Sequence, residues 1–256
     1  MYCRALVRLL LIPVLLTGIC GTASAIDIIT KAALGKQSYE LIIRDRSFTP
    51  VFTTVDLSLT GVHDRYFLTL NYAFSIESEI ETDPNGLIFY SREDINLTFG
   101  YSFDAFSVFA GYRNGATDAN YGTSETNYQG KRAFGTSADG FYVGTSASYY
   151  FEGKGSLSGS IAIAALDGEV SLSEPFVDTS AFIPGVGPTP PENIKGSAVG
   201  FSLGIGWSGQ VSENTLYNID LKINQFDFED DVVFGGLDLS YEENLNTISI
   251  GLTHFF

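Results

Sequence analysis

From Tyr66 onward, Tyr66, Leu68, Leu70, Tyr72, Phe74 and Ile76 alternate with Phe67, Thr69, Asn71, Ala73, Ser75 and Glu77. The same period of two runs through Ile95, Leu97, Phe99, Tyr101 and Phe103, through Phe141 to Phe151, and through Val199, Phe201, Leu203, Ile205 and Trp207. Strict alternation over such lengths predicts β-strands, because successive side chains of a strand point to opposite faces. The runs exceed the ~5–6 residues usual in soluble sheets and reach the ~9–11 that a tilted strand needs to cross a bilayer. After residue 25 no stretch is apolar for the ~20 residues of a spanning helix, which excludes a helical membrane protein.

The connections between these runs alternate in length. Short ones fall at 63–65, 104–105, 152–155 and 211–214, and long ones at 82–92, 114–139, 174–195 and 229–243. Short turns on one side and long loops on the other predict an antiparallel up-and-down barrel with its long loops outside the cell. Parity then requires an upward strand before Thr53–Val62. Residues 36–45 supply it, with Tyr39, Leu41 and Ile43 on one face and Glu40 and Arg44 on the other, inward one. The expected fold class is all-β: a closed antiparallel up-and-down transmembrane barrel over residues 36–256, with about ten strands. A misread first pair would make it eight, and a hairpin hidden in a long loop twelve. Residues 26–35, IDIITKAALG, precede it as a plug or a frayed end.

The amino terminus sets the compartment. Arg4 and Arg8, an apolar run from Leu9 to Ile19, and Ala23-Ser24-Ala25 have the three-part form of a secretory signal peptide, residues 1–25, cleaved before Ile26. A lipoprotein anchor at Cys20 fits poorly, because Ile19 and Thr17 precede it. Both cysteines, Cys3 and Cys20, leave with the leader, so no disulfide, thiolate metal site or Cys nucleophile is expected. The mature chain then carries 12 Lys and Arg against 30 Asp and Glu, a net charge of −18. So acidic a chain excludes nucleic acid as a partner, since phosphate binding needs clustered Lys and Arg. An aromatic content of 14% excludes a disordered acidic protein.

The carboxyl terminus, NTISIGLTHFF, places Ile248, Ile250 and Leu252 on one face and ends in Phe256. It resembles the terminal assembly signal of Gram-negative outer-membrane β-barrels, with Ser249, Gly251 and Phe256 matching and His254 standing where an aromatic or aliphatic residue is usual. The resemblance is to the small porin-like and OmpA-like membrane-barrel superfamily, without a periplasmic domain. It implies a location in the cell outer membrane, contact with lipid and lipopolysaccharide, and handling by the barrel-assembly machinery. Tyr66, Phe103, Phe151, Trp207 and Phe256 would form the periplasmic aromatic girdle.

The expected lumen is lined mostly by Ser, Thr, Gly, Ala and Asn, with Glu40, Arg44, Asp56, Arg113, Asp220 and Lys222 as its charges. About ten strands lined by small side chains should leave a wet axial space. Glu77, Glu79, Glu81, Asp227 and Glu229 are expected to gather at the outer mouth. There they would favour cations, and Gln at 77, 79 and 81 would reduce that preference. The apolar Phe226 and Phe228 follow Asn224 in phase, which suggests a β-bulge near Gln225 or emergence from the membrane. Catalysis is not expected, because the histidines, His63 and His254, lie at the periplasmic end, away from any Ser or Asp of the outer rim. No cofactor or metal is expected: the run from Glu81 has Arg92 where a calcium loop needs its twelfth-position Glu. Two functions remain: a narrow porin-like channel passing small solutes, or a structural or surface-interaction barrel whose long loops bind extracellular ligands.

Overall fold

The computed structural model describes residues 26–43, 46–76, 79–83, 86–124, 127–172, 193–230 and 240–256. Residues 1–25, expected above to be a leader, Arg44, Glu77 and nearly all of the 174–195 connection lie outside the described residues. Twelve strands follow one another: β1 (Asp27–Ile43), β2 (Arg46–Phe48), β3 (Val51–His63), β4 (Tyr66–Ser75), β5 (Glu79–Asp83) and β6 (Gly86–Ser102). Then come β7 (Ser107–Ser124), β8 (Asn127–Phe151), β9 (Gly155–Leu172), β10 (Asn193–Ser212), β11 (Thr215–Asp230) and β12 (Tyr241–Phe255). Ten of them form the wall, each antiparallel to the next. β12 pairs back onto β1 from Ile29↔Phe255 to Ile43↔Tyr241 and closes the sheet. The short β2 and β5 belong to the outer ends of the β1–β3 and β4–β6 hairpins. Among the described residues, closure leaves the ten wall strands without a free edge, the condition for a sheet to stand in hydrocarbon.

Residues 27–35 are therefore wall, not plug or frayed end: they pair with both β3 and β12. Their Ile28, Ala32 and Leu34 have the apolar outer face of a spanning strand, a pattern interrupted by Thr30 and too short to stand out alone. The expected long connection 114–139 is likewise mostly strand, since β7 and β8 continue to Ser124 and from Asn127.

The short-turn end carries a belt of rings. Tyr66 meets Tyr101 at 5.0 Å, Phe103 meets Phe106 at 4.8 Å and Phe151 meets Trp207 at 5.7 Å. Trp207 donates its indole N–H to Tyr217 Oη at 3.2 Å. The third turn ends in Gly155, whose φ of 122° and contact with the Ser208 carbonyl exclude a side chain: a Cβ would lie 2.2 Å from that oxygen.

Above this belt the outer face is exposed and apolar for about nine residues per strand, from Trp207 up to Val199 on β10 and from Tyr66 to Phe74 on β4. That is the length a tilted strand needs to span the hydrocarbon. Phe141 and Val199 leave 72% and 71% of their surface open, which in water would be an aggregating patch and in lipid is the solvated face.

Beyond the band the two faces exchange character. On β9, outward Leu157, Ile161 and Ile163 give way to Asp167 and Glu169, while inward Ser156, Ser158 and Ser160 give way to buried Leu166 and Val170. On β11 the inward line Asn218, Asp220, Lys222 and Asn224 continues as Phe226 and Phe228. Its pairings with β10 and β12 show no register shift there, so no bulge exists near Gln225. The strand keeps its phase and its surroundings change: lipid outside the lower half is replaced by water, and apolar side chains turn inward to escape it. For the same reason the faces of β1 are the reverse of those expected: Tyr39 and Leu41 are fully buried inside the barrel, and Glu40 faces outward.

Candidate functional site: a capped lumen above a polar cavity

The inward side chains form three layers. The top layer is an apolar cap of Tyr39, Leu41, Phe52, Tyr90, Phe134 and Phe226 with their neighbours. Its contacts cross the barrel and are not confined to adjacent strands. Phe48 of β2 packs on Phe134 of β8 at 4.8 Å and Tyr90 of β6 on Phe134 at 5.8 Å, while Phe228 stacks on its neighbour across the β11–β12 pair, Tyr241, at 4.4 Å. The Tyr39 hydroxyl of β1 lies 3.1 Å from Thr136 Oγ1 of β8.

The middle layer is ionic and buried. Arg92 donates Nε and Nη2 to the two carboxylate oxygens of Asp94 at 2.8 and 2.9 Å, a bidentate pair. Its Nη1 donates to Glu243 Oε1 at 2.9 Å and to Thr117 Oγ1 at 2.7 Å. Arg113 Nη2 donates to Asp94 Oδ1 at 3.2 Å. The two guanidiniums also lie over rings, Arg92 on Tyr39 at 5.1 Å and Arg113 on Phe226 at 4.8 Å, which ties the layer to the cap. With two cations and two carboxylates the layer is neutral, as burial demands. Among the described residues, three buried polar atoms have no partner: Arg113 Nε, Tyr241 Oη and Glu243 Oε2.

The bottom layer is a cavity of about 490 Å³. Lys31 Nζ donates to Asp220 Oδ2 at 2.7 Å, Asn218 donates to the same oxygen at 2.9 Å, and Asn71 donates to Asp56 at 2.5 Å. The opposite wall is the small-residue stripe of β8, β9 and β10, including Ser146, Ser158 and Ser160.

Of the charges expected in the lumen, Asp56, Arg113, Asp220 and Lys222 line this cavity. Glu40 does not; it accepts from Ser47 and Asn244 on the outer face. Asp227 and Glu229 are exposed and alternate with buried Phe226 and Phe228, so they face away from the lumen. Glu79 and Glu81 take register positions opposite Tyr90 and Ile88. A carboxylate ring at the mouth is thus reduced by two of its five members, because the interior at that height is the apolar cap. At the terminus, Ser249 pairs with Gly35 and Asp220, and Gly251 lets β12 approach β1 closely, since a Cβ there would stand 2.5 Å from the Ala32 oxygen. His254 Nδ1 bonds Thr215 Oγ1 at 3.0 Å, and the Phe256 amide donates to the Ile28 oxygen at 3.0 Å. Sequence reasoning missed Lys31, Arg92, Asp94 and Glu243. Arg92 and Asp94 share the phase of Asn96 and Thr98, and Glu243 that of Thr247 and Ser249, so carrying the alternation into the supposed loops would have found them.

No family model matches the chain, and no curated protein is similar to it in sequence. Among solved structures it is similar to the outer membrane protease OmpT from Escherichia coli, at 11% identity and TM-score 0.54, covering 92% of this chain and 99% of that one. It is also similar to the translocator domain of the autotransporter NalP from Neisseria meningitidis, at 8% identity and TM-score 0.46, covering 99% and 96%. Neisserial surface protein A aligns at 10% identity and TM-score 0.38, covering 90% and 97%. The fold is that of the Gram-negative outer-membrane β-barrels: closed, antiparallel and up-and-down, with ten wall strands.

Proposed function

We propose that the protein stands in the cell outer membrane as a closed, non-catalytic barrel and acts at the surface through its extracellular extension. The observation that carries this is the cap: side chains from opposite walls meet across the outer half, over a buried ionic layer. The small-residue lumen that favours a porin-like channel occupies only the lower half. Above the lipid band the outer face of the extension is polar and suited to ligands in water. Both histidines lie at the short-turn end, away from it. The reading includes export by the leader 1–25, assembly of β12 by the barrel-assembly machinery, and contact of the band with lipid and lipopolysaccharide.

Purified protein in a planar bilayer should show no conductance steps. Steps in the wild type would overturn the reading in favour of the channel, whereas steps that appear only after Tyr39, Phe134 and Phe226 are changed together to Ala would support it. Deleting Phe256 should lower the yield of heat-modifiable, membrane-inserted barrel. An unchanged yield would remove the assembly role from this residue.

A further inference from the structure

We infer that the lower lumen is a binding site for a small organic anion, a carboxylate bearing several hydroxyl groups, entered from the short-turn end. The cavity presents three carboxylates, Asp56, Asp94 and Asp220, and three cations, Lys31, Arg113 and Lys222. The carboxylates are all engaged: Asp56 by Asn71, Asp94 by Arg92 and Arg113, and Asp220 by Lys31 and Asn218. Lys31 is consumed in that last pair. The Lys222 ammonium makes no hydrogen bond or ion pair among the described residues, although its side chain is exposed to the cavity. Arg113 adds a buried Nε with no partner. The six charges sum to zero, but the donors left unspent are those of cations, which selects an anionic acceptor. A charge-assisted hydrogen bond is stronger than a neutral one, and the surrounding barrel wall reduces its screening by solvent.

The remaining lining matches hydroxyl groups. Ser146, Ser158, Ser160 and Asn96 offer donors and acceptors of the kind sugars use. Gly204 and Gly206 keep the floor clear: a Cβ at either would come within 2.5 Å of Ser160 Oγ or 2.7 Å of Asp220 Oδ1. Entry is from below. The cap closes the upper side, while at the lower end Ser148 is exposed and Tyr150, on the inward face, leaves 70% of its surface open.

Calorimetric titration of the detergent-folded mature barrel with galacturonate, galactose and galactosamine tests this. Galacturonate should bind saturably. Galactose and galactosamine should bind at least about tenfold more weakly, as should galacturonate to Lys222→Gln, with Lys222→Arg restoring part of the affinity. Trinitrobenzenesulfonate labelling read by mass spectrometry adds an arm that needs no variant. Lys222 of the wild type should be modified in the native barrel, and galacturonate should slow that modification. No saturable galacturonate binding, equal binding of the three sugars, an unaltered affinity in folded Lys222→Gln, or a Lys222 unreactive without ligand would each overturn the proposal.

Discussion

Arg92→Met should lower the unfolding stability of the barrel by about 3–5 kcal/mol, the usual cost of removing one partner from a buried ion pair. The Arg92 and Glu243 side chains are only 1% and 4% exposed, so water cannot replace the lost donors. The variant keeps Asp94 paired with Arg113 and leaves Glu243 as a buried anion facing an apolar cap. Adding Glu243→Gln should recover part of the loss by removing that charge. Trp207 is the only tryptophan and lies in the lower belt, so urea unfolding in lipid vesicles followed by its fluorescence reports the whole barrel. A loss below about 1 kcal/mol for Arg92→Met would mean that the layer is hydrated and is not the seal described above.

Leu70→Arg should cost about 2–4 kcal/mol, the penalty for a cationic side chain at the lipid midplane of a barrel. Leu70 lies at the centre of the Tyr66–Phe74 span, opposite Leu59 on β3 and Leu97 on β6, and its side chain points into lipid. The paired control is Glu229→Arg, exposed on the outward phase of β11 and opposite Ser197, beyond the band that ends at Val199 on β10, where the penalty should fall to about 0–1 kcal/mol. Equal costs at the two sites would contradict the upper limit of the lipid band drawn at Val199 on β10.

Period-two alternation in Tyr66–Ile76, Ile95–Phe103 and Val199–Trp207 was sufficient to determine the strands of the lower half. The alternation of short and long connections then determined their up-and-down order and put their number at about ten, with eight or twelve still open. These features are local, because each strand must separately show an apolar face to lipid. The terminal strand, with its small inward Ser249 and Gly251, was legible for the same reason.

The upper half was not, and neither was most of the site. Alternation says that a strand has two faces but not what each face meets. Beyond the band the outer medium changes from lipid to water, so a pattern such as Gln225-Phe226-Asp227-Phe228 looks like a bulge or a loop when it is an unbroken strand turned apolar side in. The same inversion placed Glu40 and Asp227 in a lumen they do not face, and hid Tyr39 and Leu41 inside it. Only closure of the sheet determined the ionic layer. Arg92 and Glu243 are 151 residues apart in the chain, and their 2.9 Å contact exists because β6 and β12 face each other across a cylinder. No local pattern in a sequence can encode which distant inward residues will meet; the diameter and register of the closed wall decide it.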